Sequence, residues 1–274
     1  MTASPNSTLS LNDGRSIPQL GLGTWRMGDA EAATMVRDAI GLGYRLIDTA
    51  AIYGNEAGVG RGVQSSRISR EDLFITTKVW NDQQGRVAAA LRTSLDKLRL
   101  DYVDLLLIHW PVPRQKRFVE AWRGLVELRA CGLARSIGVS NFNADHLDAI
   151  IADSQVVPAV NQIELHPGFQ QRPLCEFHTQ HWIATQAWSP LGQGKALLEP
   201  TIVAIAQKLH RTPAQVILRS QIQAGLSTIP KSSSPARMKE NATLFDFALS
   251  PEDQAAVLAL DGHNRIGPDP RLFG

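Results

Sequence analysis

"DLLLIHWP", residues 104–111, is the stretch on which the reading of the fold turns. Leu105 to Ile108 are uninterrupted apolar residues, the pattern of a strand buried on both faces in a parallel sheet. Pro111 has no N–H to offer a ladder, so the strand must stop before it. Between the two stand an imidazole, His109, and an indole, Trp110, whose polar atoms are costly to bury without partners. Taken alone, His109 reads as a core histidine capping a strand. If the neighbouring strands end the same way, it reads as one member of a shared site.

Similar runs recur on both sides of this one, at 20–23, 45–48, 73–78, 103–109, 136–140, 160–164, 183–189 and 227–231. Segments of helical period lie between them, at 30–42, 87–98, 119–131, 144–151 and 201–209. Gly43, Gly132 and Gly225 stand where helices end, and Asn143 and Ser250 where helices begin, the latter followed by Pro251. Ahead of the first run, Thr8–Leu11 and Arg15–Ile17 flank Asp13-Gly14, a hairpin signature. Alternating strand and helix implies parallel strands joined by helical crossovers. Eight such units fit one closed (β/α)8 barrel, a TIM barrel with the hairpin closing its bottom. A doubly wound sheet would carry a glycine fingerprint after its first strand. "GLGTW" (21–25) lacks the third glycine, and "GVGRG" (58–62) follows a loop. The expectation is a single domain over residues 1–274, with 1–7 a loose tail.

Composition narrows the function. The chain has 274 residues, 43% of them hydrophobic, and a formal charge of +2. Nothing in that balance favours nucleic acid or an anionic membrane. No run of about 18 apolar residues is present to span a bilayer. The polar N-terminus has no apolar signal core, and Cys131 and Cys175 read as small buried hydrophobes in a reducing compartment, so a cytoplasmic monomer is expected. "HTQH" (178–181) reads as a polar helix face, and no metal site is expected.

In a barrel, chemistry sits at the C-terminal ends of the strands. Those ends here are Thr24 and Trp25, Asp48 with Tyr53 beyond, Lys78 with Trp80, His109-Trp110, Ser140-Asn141, Gln162, Trp188-Ser189 and Lys231. All are polar, ionisable or aromatic. Asp48, Tyr53, Lys78 and His109 come from successive strands and can converge. A tyrosine is a poor acid near neutrality; making it a good one takes about 4 kcal/mol. One ammonium about 4 Å away supplies that at an effective dielectric of about 20. Lys78 would therefore acidify Tyr53, Asp48 would hold Lys78, and His109 would orient a carbonyl or relay a proton. At the last strand, Lys231, the following serines, Pro235 at a helix start and Arg237 form a cationic helix N-terminus suited to a phosphate. Trp25, Trp80 and Trp110 would wall a substrate pocket. The loop after Trp110 is short, so an open, tolerant site is expected.

"RLIDTAAIYGNE" (45–56), "ITTKVW" (75–80), "DLLLIHWP", "SIGVSNF" (136–142), "NQIELHP" (161–167), "AWSPLGQG" (187–194) and "IPKSSSPARMKEN" (229–241) resemble, in order, the aldo-keto reductase family. The likeness is greatest to its short bacterial 2,5-diketo-D-gluconate reductases. The resemblance implies NADPH-dependent reduction of aldehydes and ketones, including keto sugar acids, with NADPH/NADP+ at the barrel rim. It makes Asp48, Tyr53, Lys78 and His109 the catalytic tetrad, with Tyr53 the general acid. It assigns Ser140, Asn141 and Gln162 to the nicotinamide carboxamide and Trp188 to the nicotinamide face. It adds Thr24, Ser189, Leu191, Gly192 and Gln193 to the cofactor contacts. Lys231, Ser232 and Arg237 become the 2′-phosphate clamp, and Glu240 and Asn241 the adenine contacts. Trp188 stands where many members have tyrosine, and Ser233-Ser234 where Val-Thr is usual. Two other classes are open: a cofactor-sensing binding subunit with little turnover, and a barrel isomerase or aldolase using Lys78 as a Schiff-base amine.

Overall fold

The computed structural model describes residues 7–274. Two antiparallel strands, β1 (Thr8–Ser10) and β2 (Ser16–Pro18), form the hairpin. Eight parallel strands follow: β3 (Gly21–Gly23), β4 (Leu46–Asp48), β5 (Phe74–Val79), β6 (Val103–Ile108), β7 (Ala134–Ser140), β8 (Val160–Glu164), β9 (Ala184–Trp188) and β10 (Ser227–Thr228). Each pairs with its neighbour in sequence, and parallel bridges Leu20–Thr228 and Gly23–Lys231 bring the last strand back to the first. The helices are α1 (Asp29–Gly41), α2 (Glu56–Ser65), α3 (Val87–Leu98), α4 (Phe118–Ala130), α5 (Ala144–Ser154), α6 (Arg172–Gln180), α7 (Pro200–Leu209), α8 (Pro213–Gln223), α9 (Pro235–Ala242) and α10 (Pro251–Leu258). The expected barrel is the observed fold.

Its two ends differ in chemistry. Leu11 and Ile17 of the hairpin pack on Leu46, Phe74, Leu105 and Val160, near the N-terminal ends of their strands, so the floor is apolar and plugged. Toward the other end the interior turns polar, with Asp48, Lys78, Gln162, Gln186 and Ser227 all buried. Polar groups at that depth need partners, and their partners define the site.

Several local expectations change. Residues 1–6 of the expected loose tail lie outside the described residues, but Ser7 is tied down: its hydroxyl donates to Gln19 Oε1 at 2.6 Å and its carbonyl accepts the Gln19 N–H at 2.9 Å. Cys131 is exposed, because it caps the C-terminus of α4 facing solvent. His178 belongs to no polar face; it is buried, its ring nitrogens contacting Asn161 Nδ2 at 2.9 Å and Thr185 Oγ1 at 2.8 Å. "GVGRG" lies in α2, and its glycines serve helix packing. A Cβ on Gly58 would lie 1.9 Å from the Asp29 carbonyl oxygen, and one on Gly60 2.2 Å from that of Leu98.

Candidate active site

β4 ends on Asp48, and the chain turns through a 3-10 segment, Ala51–Tyr53, that lifts Tyr53 over the barrel mouth. On the next strand Lys78 reaches back, its Nζ 2.5 Å from Asp48 Oδ1 and 2.9 Å from the Thr49 carbonyl. Both side chains are buried, at 0% and 3% exposure, so the pair lies in low dielectric. Lys78 Nζ lies 5.2 Å from the centre of the Tyr53 ring. His109 meets that ring edge-on at 5.7 Å and the Trp80 ring at 5.0 Å. The four groups expected to converge do converge.

Their electrostatics differ from the sequence expectation in one respect. Burial, reinforced by the Asp48 charge, holds the Tyr53 hydroxyl well above its ordinary value. Lys78 does not acidify it here, because Asp48 neutralises the ammonium at contact distance. Burial pushes the carboxyl of Asp48 up against the pull of Lys78, and pushes the amine of Lys78 down against the pull of Asp48. His109 is held well below its usual value, by burial first and the Lys78 charge second, so its imidazole is neutral near pH 7. Its Nδ1 is buried without a partner.

These groups open into a cavity of about 680 Å³ that runs from Tyr53 and His109 past Trp188 to Lys231. Trp25, Trp80 and Trp110 line it as expected. Four of its non-glycine residues have left-handed backbones: Arg26 (φ 59°), Asn141 (62°), Ser189 (49°) and Gln193 (52°). Eight other non-glycine residues among those described share this conformation away from the cavity, so it is not confined to the site. The site is less open than the short loop after Trp110 implied. The C-terminal segment crosses the rim, with Ile266, Gly267 and Pro268 lining the cavity. Phe273 packs 4.5 Å from Trp110 and 6.4 Å from Trp80. Glu164 anchors that segment: its buried carboxylate accepts the N–H groups of Ile266 at 2.6 Å and Gly267 at 2.8 Å.

The residues matched to cofactor contacts fall in two groups. Ser140, Asn141, Gln162, Trp188, Ser189, Gln193 and Lys231 line the cavity. The Ser140 hydroxyl donates to the Gln162 carbonyl at 2.8 Å, and Trp188 Nε1 donates to Asn141 Oδ1 at 2.8 Å. Thr24, Leu191, Gly192, Ser232, Arg237, Glu240 and Asn241 do not line it. Thr24 donates its hydroxyl to the Asp48 carbonyl at 3.0 Å, and Glu240 Oε1 accepts from the Thr212 hydroxyl at 2.7 Å. Arg237 is exposed on the first turn of α9, where Ser234 caps the helix. Lys231 contacts the Ser233 hydroxyl. Glu31, which the sequence did not single out, joins them; bonds from Ser233 and the Gly28 N–H and the charge of Lys231 hold its carboxyl below the usual range despite some burial. A glutamate in the first turn of a helix is ordinary, so only the fold exposes this neighbour.

The donor set suits a pyridine dinucleotide phosphate. A flat indole and amide groups stand beside the proton-donating groups, and Lys231 closes the far end of the same cavity, just ahead of the capped helix N-terminus that carries Arg237.

A barrel whose rim joins a buried carboxylate–lysine pair, a tyrosine and a neutral histidine to such a cavity is that of a carbonyl reductase. The profile of the Aldo/keto reductase family matches residues 19–261, and the chain belongs to that family. It is an NADP-dependent oxidoreductase that reduces carbonyl groups. It is 51% identical to a methylglyoxal reductase DkgA of Yersinia pestis, over 100% of this chain and 99% of that protein. A crystal structure of a Gox0644 mutant in complex with NADPH superposes with a TM-score of 0.95 at 46% identity, covering 98% of this chain and 99% of the other. The Bombyx mori aldo-keto reductase in complex with NADP gives a TM-score of 0.90 at 39% identity, covering 96% and 95%.

Proposed function

We propose that this reductase acts on small dicarbonyl compounds, 2-oxoaldehydes such as methylglyoxal and keto sugar acids such as 2,5-diketo-D-gluconate, with Tyr53 as the proton donor. The observation that carries this reading is the single cavity shared by Tyr53, His109, the three tryptophans and Lys231. The relatives named methylglyoxal reductase support the substrate class. Bound NADPH supplies a hydride to the carbonyl carbon. Tyr53 protonates the oxygen, and His109, neutral, orients it by hydrogen bonding. Lys78 and Asp48 stabilise the site electrostatically from behind Tyr53. Trp188 flanks the nicotinamide, Ser140, Asn141 and Gln162 hold its carboxamide, and Lys231, Ser232 and Arg237 bind the 2′-phosphate. The residue assignments, a single domain, a monomeric state and a cytoplasmic setting belong to the same proposal; two unpaired cysteines suit a reducing compartment.

NADPH oxidation measured with methylglyoxal, an α-ketoester, 2,5-diketo-D-gluconate and simple aldehydes tests the substrate class. The highest kcat/KM is expected on a dicarbonyl; a simple aldehyde leading by tenfold would reject it. Cofactor choice is tested separately. Arg237→Ala should weaken NADPH binding by about tenfold and leave NADH within about twofold, since one charge-assisted contact to phosphate is removed. Quenching of tryptophan fluorescence reads both affinities. Equal losses would mean that Arg237 does not read the phosphate.

A further inference from the structure

Beneath the mouth of the barrel, three neighbouring strands carry a continuous line of hydrogen bonds. Gln162 on β8 lies opposite Gln186 on β9, which lies opposite Ser227 on β10. Gln162 Nε2 donates to Asp48 Oδ2 at 2.7 Å and to Gln186 Oε1 at 2.7 Å. Gln186 Nε2 donates to Ser227 Oγ at 3.0 Å, and Ser227 Oγ donates to the Pro18 carbonyl at 3.0 Å. Gln186 and Ser227 are fully buried and Gln162 nearly so.

The direction of this line is fixed at both ends. The Pro18 carbonyl can only accept, so the Ser227 hydroxyl donates to it and offers a lone pair to Gln186. That turns Gln186 Nε2 toward Ser227 and its Oε1 toward Gln162. At the other end the Asp48 carboxylate also only accepts, and it takes the second N–H of Gln162. Flipping either amide would set donor against donor or acceptor against acceptor, buried and away from water. Gln162 Nε2 thus has both hydrogens engaged, and Oε1 is the one polar atom its side chain has left for a ligand.

We infer that Gln186, supported by Ser227, is a positioning residue that holds Gln162 with its carbonyl oxygen presented to the amino group of the nicotinamide carboxamide. This rests on the proposed placing of Gln162 at that carboxamide. It links cofactor recognition to the Asp48–Lys78 pair above and to the hairpin floor below.

The test is binding, read by tryptophan quenching, of NADP+ and of its 3-acetylpyridine analogue, whose acetyl group keeps the carbonyl but lacks the amino donor. Gln186→Leu is expected to weaken NADP+ by about tenfold, the scale of one hydrogen bond, and the analogue by no more than about twofold. Ser227→Ala, a smaller excision that keeps the test alive if Gln186→Leu does not fold, should show the same selectivity at about threefold. Gln162→Leu is the reference and should show it too. If Gln162→Leu weakens both cofactors equally, the placing of Gln162 fails and the inference with it. If Gln162→Leu is selective but the Gln186 and Ser227 variants are not, those two residues only fill space, and the inference alone is overturned.

Discussion

Tyr53→Phe is expected to lower the turnover of carbonyl reduction by about 10²–10⁴-fold, the usual contribution of a positioned general acid. The substitution keeps the ring that meets His109 at 5.7 Å and removes only the hydroxyl. NADPH affinity should stay within about twofold. The electrostatics favour Tyr53 over His109 as the donor. His109 is neutral near pH 7 because burial and the Lys78 charge both oppose its protonation. The tyrosine proton is retained across the neutral range, since burial and the Asp48 charge oppose ionisation. Tyr53 therefore still carries its proton when the carbonyl oxygen gains charge and becomes strongly basic. Single-turnover decay of NADPH absorbance measures the step directly. A variant within threefold of the parent would remove Tyr53 from the role.

Lys78→Met is expected to have the largest effect on stability. It leaves the carboxylate of Asp48, 3% exposed, without its partner. Breaking one side of a buried pair costs about 3–5 kcal/mol. At about 2–4 °C per kcal/mol for a domain of this size, Tm should fall by roughly 10 °C. Asp48→Asn combined with Lys78→Met removes both charges and should recover most of that loss. Turnover should stay low in the double variant, because the ion pair behind Tyr53 is not restored. Thermal denaturation followed by circular dichroism separates the cases. An unchanged Tm in Lys78→Met would show that the pair is held as two neutral groups.

The barrel was legible because its strands are short, apolar and end on polar groups at regular intervals, and the hairpin because Asp13-Gly14 announces it. The convergence of Asp48, Tyr53, Lys78 and His109 followed from their places on successive strands. α2 was not legible: three glycines within five residues argue against a helix, and only the close approach of Asp29, Leu98 and the Ala33–Val36 turn of α1 explains them. Cys131 and His178 went wrong for one reason, that helical period does not say which face is covered. Phe273, Glu31 and Gln186 carried no local signal. Each matters through a neighbour more than 90 residues away or across a strand pair, a relation no spacing rule contains. Tyr53 is held up and not acidified because burial of its hydroxyl acts first and the Asp48 charge second, and strand order reveals neither.

The Glu164 anchor has a consequence for motion. The amides of Ile266 and Gly267 lie in irregular chain, where exchange with solvent deuterium is ordinarily fast. Here both hydrogens point into a buried carboxylate, and hydrogen bonds to a charged group contribute about 1.5–3 kcal/mol each. They should therefore exchange about ten- to a hundredfold more slowly than neighbouring loop amides, as an island of protection within a coil. Burial disfavours the Glu164 charge, but the bonds from His166, Ile266 and Gly267 outweigh it and hold the carboxyl below its ordinary value. A depressed carboxyl stabilises the fold above its unfolded value and ceases to do so as pH falls through its folded one. The rim segment is thus clamped throughout the neutral range, and in acid it should be among the first parts to come loose, uncovering the aromatic wall while the barrel beneath still stands.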